Sequence, residues 1–246
     1  MPILLAFKFL TVLPVPAPAD APPKAMGRAA AWYPLVGAVL GLLLAGGDLL
    51  LGLVFPLPLR SALVLALWVG LTGALHLDGF LDCCDGLLAA RPPEERLRIL
   101  RDVHAGSFAV VGGVLLLLLK YAALAGLQGP WRMAALVGAP VLGRWAMTYA
   151  LVLYPDARGG AGLGGLVKQA AGRRELAIAT AVALVAVVAA WRWPGLAALP
   201  LTWAFTALLA RWIMGRIPGL TGDTYGAIDE LVELMVLLLA VALARN

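Results

Sequence analysis

The run His76-Leu77-Asp78-Gly79-Phe80-Leu81-Asp82-Cys83-Cys84-Asp85-Gly86 places three carboxylates within eight residues. At about 100° per residue, Asp78, Asp82 and Asp85 fall within an arc of roughly 60° and share one face of a helix. Like charges a turn apart repel, more so beside a low-dielectric membrane, and a bound cation offsets that repulsion. Donors that are all oxygen suit Mg²⁺, with Mn²⁺ as the alternative. The competing reading is a solvated acidic helix end stopped by Gly86. Acids beside a bilayer are costly, which favours a functional site.

Two further stretches carry suitable groups. Thr221-Gly222-Asp223-Thr224-Tyr225-Gly226 precedes a helix bearing Glu230 and Glu233, two acids one turn apart that continue into an apolar segment. Asp223 either caps that helix or joins the site, and the two glutamates read as a second group of oxygen ligands. The loop Gly159-Gly160-Ala161-Gly162-Leu163-Gly164-Gly165, flanked by Arg158 and Lys168, frees backbone N–H groups to approach a phosphate, although plain flexibility accounts for it equally well. Divalent-cation ligands beside arginines and a glycine loop are the apparatus of phosphoryl-group transfer.

These groups must be positioned by membrane helices. Of 246 residues, 62% are hydrophobic and 13% charged, with mean hydropathy +0.92, too much apolar surface for one soluble core. An all-α polytopic bundle follows, with seven transmembrane helices expected near Trp32 to Phe55, Ser61 to Leu77, Phe108 to Leu127, Trp131 to Tyr154, Leu176 to Trp193, Leu196 to Met214 and Ala227 to Leu243. Gly37 and Gly41 permit close helix approach in the first. The proline-rich start is expected at the interface, with no cleaved signal peptide. Residues 91–103 suggest a short amphipathic surface helix with Leu97, Leu100 and Val103 on its apolar stripe and arginines able to grip phosphate. No linker divides the chain, so residues 1–246 are expected to form a single integral-membrane domain.

Charges inside spans need partners or interfaces. Asp48 is expected to face the bundle or the far interface, whereas Lys120 and Arg144 could meet an anionic substrate. Thirteen Lys and Arg fall in loops on the side of the N-terminus and four opposite. The positive-inside rule then puts the N-terminus and the carboxylate run in the cytoplasm and the C-terminus outside. Positive loops at a membrane also explain the net charge of +5 without nucleic acid as a partner. Adjacent Cys83 and Cys84 fit neither a disulfide framework nor a zinc site. Membrane lipid is the expected surrounding, and assembly into a homo-oligomer stays open.

Over nearly its whole length the chain resembles the adenosylcobinamide-GDP ribazoletransferases, the cobalamin synthases. The matching residues are His76 to Gly86, then Arg101, Asp102 and Gly106, then Thr221 to Gly226 with Glu230 and Glu233; weaker matches are Pro34 to Gly37, Lys120, Gly143-Arg144 and Gly162 to Gly164. The resemblance implies transfer of α-ribazole, or its 5′-phosphate, to adenosylcobinamide-GDP with release of GMP, with Mg²⁺ as cofactor. This is the last assembly step of cobalamin biosynthesis, in the inner membrane of a prokaryote. The carboxylate face is expected to supply Asp82 and Asp85 as catalytic residues, and Asp78, Asp82, Asp85, Glu230 and Glu233 are the expected metal ligands. Substrate would meet His76, Arg101, Asp102, Lys120, Arg144, Arg158, Gly162, Gly164 and Asp223. Asp229 departs from the pattern, falling where an apolar residue is expected.

Two rivals remain. A CDP-alcohol phosphatidyltransferase shares the opening Asp-x-x-Asp-Gly, here Asp82 to Gly86, but its later elements fail: Ala90-Arg91 comes one residue late, and no Gly-x-x-x-Asp-x-x-x-Asp follows. A cation-coupled transporter needs midplane acids and repeated halves, whereas 13 of the 14 acids, all but Asp48, fall on one side in this topology.

Overall fold

The computed structural model describes residues 1–18, 21–159 and 167–244. Eleven α-helices are seen among them: α1 Pro2–Leu10, α2 Pro23–Ala29, α3 Tyr33–Leu51, α4 Leu57–Thr72, α5 Leu75–Leu88, α6 Pro93–Ile99, α7 Ser107–Gly126, α8 Gly129–Leu153, α9 Arg173–Trp191, α10 Trp193–Met214 and α11 Gly222–Ala244. The 3₁₀ turn Ala30–Trp32 joins α2 to α3. Proline opens many of these helices, at a position where its missing N–H removes no intrahelical bond.

Helix α8 is the axis of the bundle and packs against α3, α9 and α11. Its contact with α3 depends on the expected glycine pair: a Cβ on Gly37 would strike the Pro140 carbonyl, and one on Gly41 would lie 2.6 Å from Val137 Cα. Without these side chains the backbones close to direct contact.

Among the described residues, five helical segments are long and apolar enough to cross a membrane: Lys24–Leu51, α7, α8, α9 and α10. The expected second span differs. It breaks at Gly73 (φ 59°) and Ala74 (φ 56°), both left-handed, and α5 turns 92° away from α4. Together the pair counts at most as a sixth span. Two successive left-handed residues cannot continue an α-helix, and the alanine costs about 1–2 kcal/mol there. Helix α5 therefore runs across the direction of α4 instead of extending it. Helix α11, the last expected span, is 23 residues long and carries three buried acids, Asp229, Glu230 and Glu233.

The N-terminal segment forms α1, too short to span, with Leu5, Ala6 and Leu10 buried against its neighbours. The surface helix also forms but is shorter than expected. Leu100 is buried, whereas Val103, expected on the same stripe, lies beyond the helix end and is 92% exposed.

Candidate active site

Two glycines bring the carboxylate helix and the last helix into register. A Cβ on Gly79 would lie 2.8 Å from the Asp223 carbonyl oxygen, and one on Gly226 would lie 3.0 Å from the His76 carbonyl oxygen. Helices α5 and α11 thus touch backbone to backbone, running antiparallel, and the two motif stretches become one structure.

Thr221 caps α11. Its hydroxyl accepts the Thr224 N–H at 3.3 Å, while the Thr224 hydroxyl accepts the Thr221 N–H at 2.8 Å. This reciprocal pair relieves Asp223 of the capping role and leaves its carboxylate free to turn toward Arg158 Nη2, 2.9 Å away. Arg158 is brought there by main-chain bonds between the stretch after α8 and the stretch before α11, Leu220 N–H to Pro155 O at 2.8 Å and Ala157 N–H to Leu220 O at 2.9 Å.

Asp82 lies in the field of Asp78, Asp223 and Asp85. Partial burial first, and then these three neighbours, push its carboxyl up to about 7 from 3.8, against the opposing pull of Arg158. The three neighbouring acids concentrate negative charge around Asp82 that a divalent cation would relieve. The all-oxygen donor set fits Mg²⁺.

Asp85 has a different job. One of its oxygens accepts the Gly106 N–H at 2.6 Å and the other the Ala109 N–H at 3.0 Å, so it closes the N-terminus of α7 from the neighbouring helix. The same bonds fold the loop bearing Arg101 and Asp102 back toward α5. Arg101 is exposed, and Asp102 is spent on His104, 2.8 Å away, whose hydrogen bonds hold this exposed carboxyl below the ordinary range.

The remaining expected groups lie in a buried chain of charges. His76 Nδ1 meets Asp229 Oδ2 at 2.6 Å; Arg144 meets Asp229 at 3.1 Å and also Glu233; Lys120 Nζ bonds Glu230 and Glu233, each at 2.5 Å. The oxygens of Asp229, Glu230 and Glu233 lie within 4.8 Å of one another, a spacing that a divalent cation accepts. Lys120 and Arg144 bring two positive charges to these three acids. Lys120 is 2% exposed and Arg144 1%. Gly162 and Gly164 lie outside the described residues.

Asp229, the departure from the sequence pattern, is the residue that sequence reasoning passed over. Its only signal was a third acid next to Glu230 in an apolar segment. Asp48 faces the bundle, as expected: Arg132 Nη2 lies 2.6 Å and Arg60 Nε 3.2 Å from its Oδ1. Cys83 and Cys84 are free thiols, both buried.

A family model described as cobalamin-5-phosphate synthase matches residues 2–241. A protein of Desulforamulus reducens named adenosylcobinamide-GDP ribazoletransferase is 37% identical over 96% of this chain and 94% of its own. Proteins of the same name from Pseudomonas syringae pv. syringae and Ectopseudomonas mendocina are 42% and 43% identical, over 97% and 95% of this chain and 98% and 96% of theirs. No solved structure matches.

Proposed function

The chain belongs to the cobalamin-5-phosphate synthase family, and on that premise we propose how its carboxylate end performs the ribazoletransferase reaction. The enzyme joins ribazole to adenosylcobinamide-GDP. We read the acceptor as α-ribazole or its 5′-phosphate, attacking through its hydroxyl the phosphorus on the cobinamide side of the pyrophosphate. The new O–P bond forms as the bond to GMP breaks.

The observation that carries this reading is the convergence of Asp78, Asp82 and Asp223 with Arg158 at the junction of α5 and α11. Asp82, at the middle of the carboxylate face of α5, accepts the proton of the attacking hydroxyl. Arg158 offers its guanidinium to phosphate oxygens. Arg101, exposed on the loop held by Asp85, supplies a second such contact. Asp78, Asp82 and Asp223 would hold Mg²⁺, which when bound supplies charge neutralisation for the pyrophosphate. Asp85 and the His76–Asp229 pair act on substrate only through the helices they fix.

The excess of basic residues on the side of the N-terminus supports an active site facing the cytoplasm, in the inner membrane. The pairing of Asp48 with Arg60 and Arg132, residues assigned to the opposite side, agrees with that division.

The test is GMP release by the purified protein in liposomes given adenosylcobinamide-GDP and either α-ribazole or its 5′-phosphate. Release should require acceptor and Mg²⁺ and should stop on chelation. Release that ignores the acceptor would overturn the proposed chemistry, and release that survives chelation would remove the metal from it.

A further inference from the structure

Away from the carboxylate end, three cations meet in one place without partners among the described residues. Lys24 and Arg28 on α2 and Arg174 in the first turn of α9 line a cavity of about 510 Å³ with Gln169, Ala170 and Glu175. A second cavity of about 260 Å³ continues from it, sharing Arg28, Arg174 and Glu175, and its wall is Pro2, Ala31, Trp32 and Ile178. All three cations are exposed, and none makes an ion pair or hydrogen bond with a described residue. Glu175 turns one oxygen to the Gly172 N–H at 3.0 Å, closing the start of α9. The groove is therefore cationic at one end and apolar at the other.

Its depth in the membrane follows from length. The segment Lys24–Leu51 has 28 residues, about 42 Å at 1.5 Å per residue, whereas a hydrocarbon core of about 30 Å takes about 20. Counting back 20 residues from Leu51 reaches Trp32, a residue type that settles at the membrane interface. Lys24 and Arg28 then stand in the headgroup layer, and Trp32 and Ile178 at the top of the acyl chains.

We propose that this groove is a binding site for one anionic phospholipid, its phosphate held by Lys24, Arg28 and Arg174 and the start of its acyl chains laid against Trp32 and Ile178. The charge complementarity selects an anionic head, and the apolar wall selects a lipid over a free phosphate. The bound lipid would tie the N-terminal segment to α9. The inference is independent of the reaction assigned to the carboxylate end.

Native mass spectrometry of the full-length protein tests it, after equilibration in nanodiscs with equal dioleoylphosphatidylglycerol and dioleoylphosphatidylcholine. The wild type should retain one phosphatidylglycerol in preference to phosphatidylcholine. Arg28→Gln with Arg174→Gln should lower that retention about fivefold for each cation removed. Arg28→Lys with Arg174→Lys, which keeps the charge, should retain most of it and guards against a folding defect. Arg91→Gln with Arg98→Gln, which removes two charges elsewhere, should leave retention unchanged. Equal loss in that control would reduce the effect to bulk electrostatics and overturn the site. Displacement of the lipid by millimolar inorganic pyrophosphate would show that the groove takes free phosphate, which also overturns it.

Discussion

His76 Nδ1 and Asp229 Oδ2 are 2.6 Å apart, both buried, and they join the carboxylate helix to the last helix from the side opposite the site. On α5, His76 lies about 160° round from Asp78. One face of α5 is thus clamped into the bundle while the other presents Asp78 and Asp82. Asp229 also holds Arg144, and through Glu233 the chain of charges reaches Lys120 on α7. Four helices meet in these contacts.

Removing one member of such a network leaves a buried charge without compensation, which costs about 3–5 kcal/mol. Lys120→Met is therefore expected to lower the melting temperature sharply, because it strips Glu230 of its cation and leaves Glu233 with Arg144 alone. Lys120→Met combined with Glu230→Gln should recover part of the loss. Thermal unfolding of the three proteins in one detergent checks this, and an unchanged melting point for Lys120→Met would mean that the network contributes nothing to stability.

The Asp48 cluster gives a contrasting expectation. Arg132 is fully buried and donates to Asp48, Ser61 and the Leu124 carbonyl, far along the chain from any residue of the site. Asp48→Asn should destabilise the fold by a similar few kcal/mol while leaving kcat per folded molecule unchanged. A large fall in kcat at full folding would place Asp48 in the reaction.

Much of this arrangement was legible in the residue pattern. Hydropathy located the helices because a span is a long run of one composition, and the carboxylate face of α5 follows from helical spacing alone. The break at Gly73-Ala74 was not legible, since both residues are compatible with a continuing apolar helix and only their left-handed backbone ends it. Nor was the division among the acids. Asp82 and Glu233 look alike in sequence, each one turn from another acid, but Glu233 finds Arg144 and Lys120 on other helices, whereas Asp82 finds Asp78 and Asp223. Asp85 was read as a member of the cluster because the open helix end it closes lies 21 residues away. Gly37 and Gly41 were read correctly because their effect, close approach, needs only a missing side chain.

Metal-free protein should show a specific pH dependence. Asp82 titrates near 3.8 when unfolded and near 7 when folded, so between these values the folded state binds more protons than the unfolded one. Its contribution to stability is intact below about pH 4 and is lost as pH rises toward 7. Mg²⁺ should consequently raise the melting temperature more at pH 8 than at pH 5, and Asp82→Asn should flatten the difference. An equal Mg²⁺ effect at both pH values would detach the cation from this carboxylate.

Topology can be checked at two exposed positions. Val103 is 92% exposed in the loop after α6 and Trp193 is 83% exposed at the start of α10. In the proposed orientation Val103→Cys is labelled by a membrane-impermeant thiol reagent only after the cytoplasmic side is opened, whereas Trp193→Cys is labelled in intact cells. Cys83 and Cys84 are buried and should contribute little background. Labelling of both from the same side would remove the assignment of the carboxylate end to the cytoplasm.

Asp82→Asn is the sharpest test of the site, because the substitution keeps size and shape while removing both the charge and the capacity to accept a proton. The native carboxyl is held near 7 by burial and by Asp78, Asp223 and Asp85, so neutralising it relieves repulsion, and the variant should fold at least as well as the wild type. Loss of activity could then not be ascribed to unfolding. A positioned base contributes about 10²–10⁴ in rate, and removing a charge that helps hold the cation adds to that loss, so turnover should fall by at least about three orders of magnitude. Asp85→Asn should behave differently. An amide offers one acceptor oxygen in place of two, so the cap on α7 loses either the Gly106 or the Ala109 N–H, costing about 1 kcal/mol of stability with a smaller fall in kcat. The order of effects, Asp82 on rate and Asp85 on stability, distinguishes a catalytic carboxylate from a structural one on the same helix face. Equal losses of rate from both variants, at equal stability, would return Asp85 to the catalytic set.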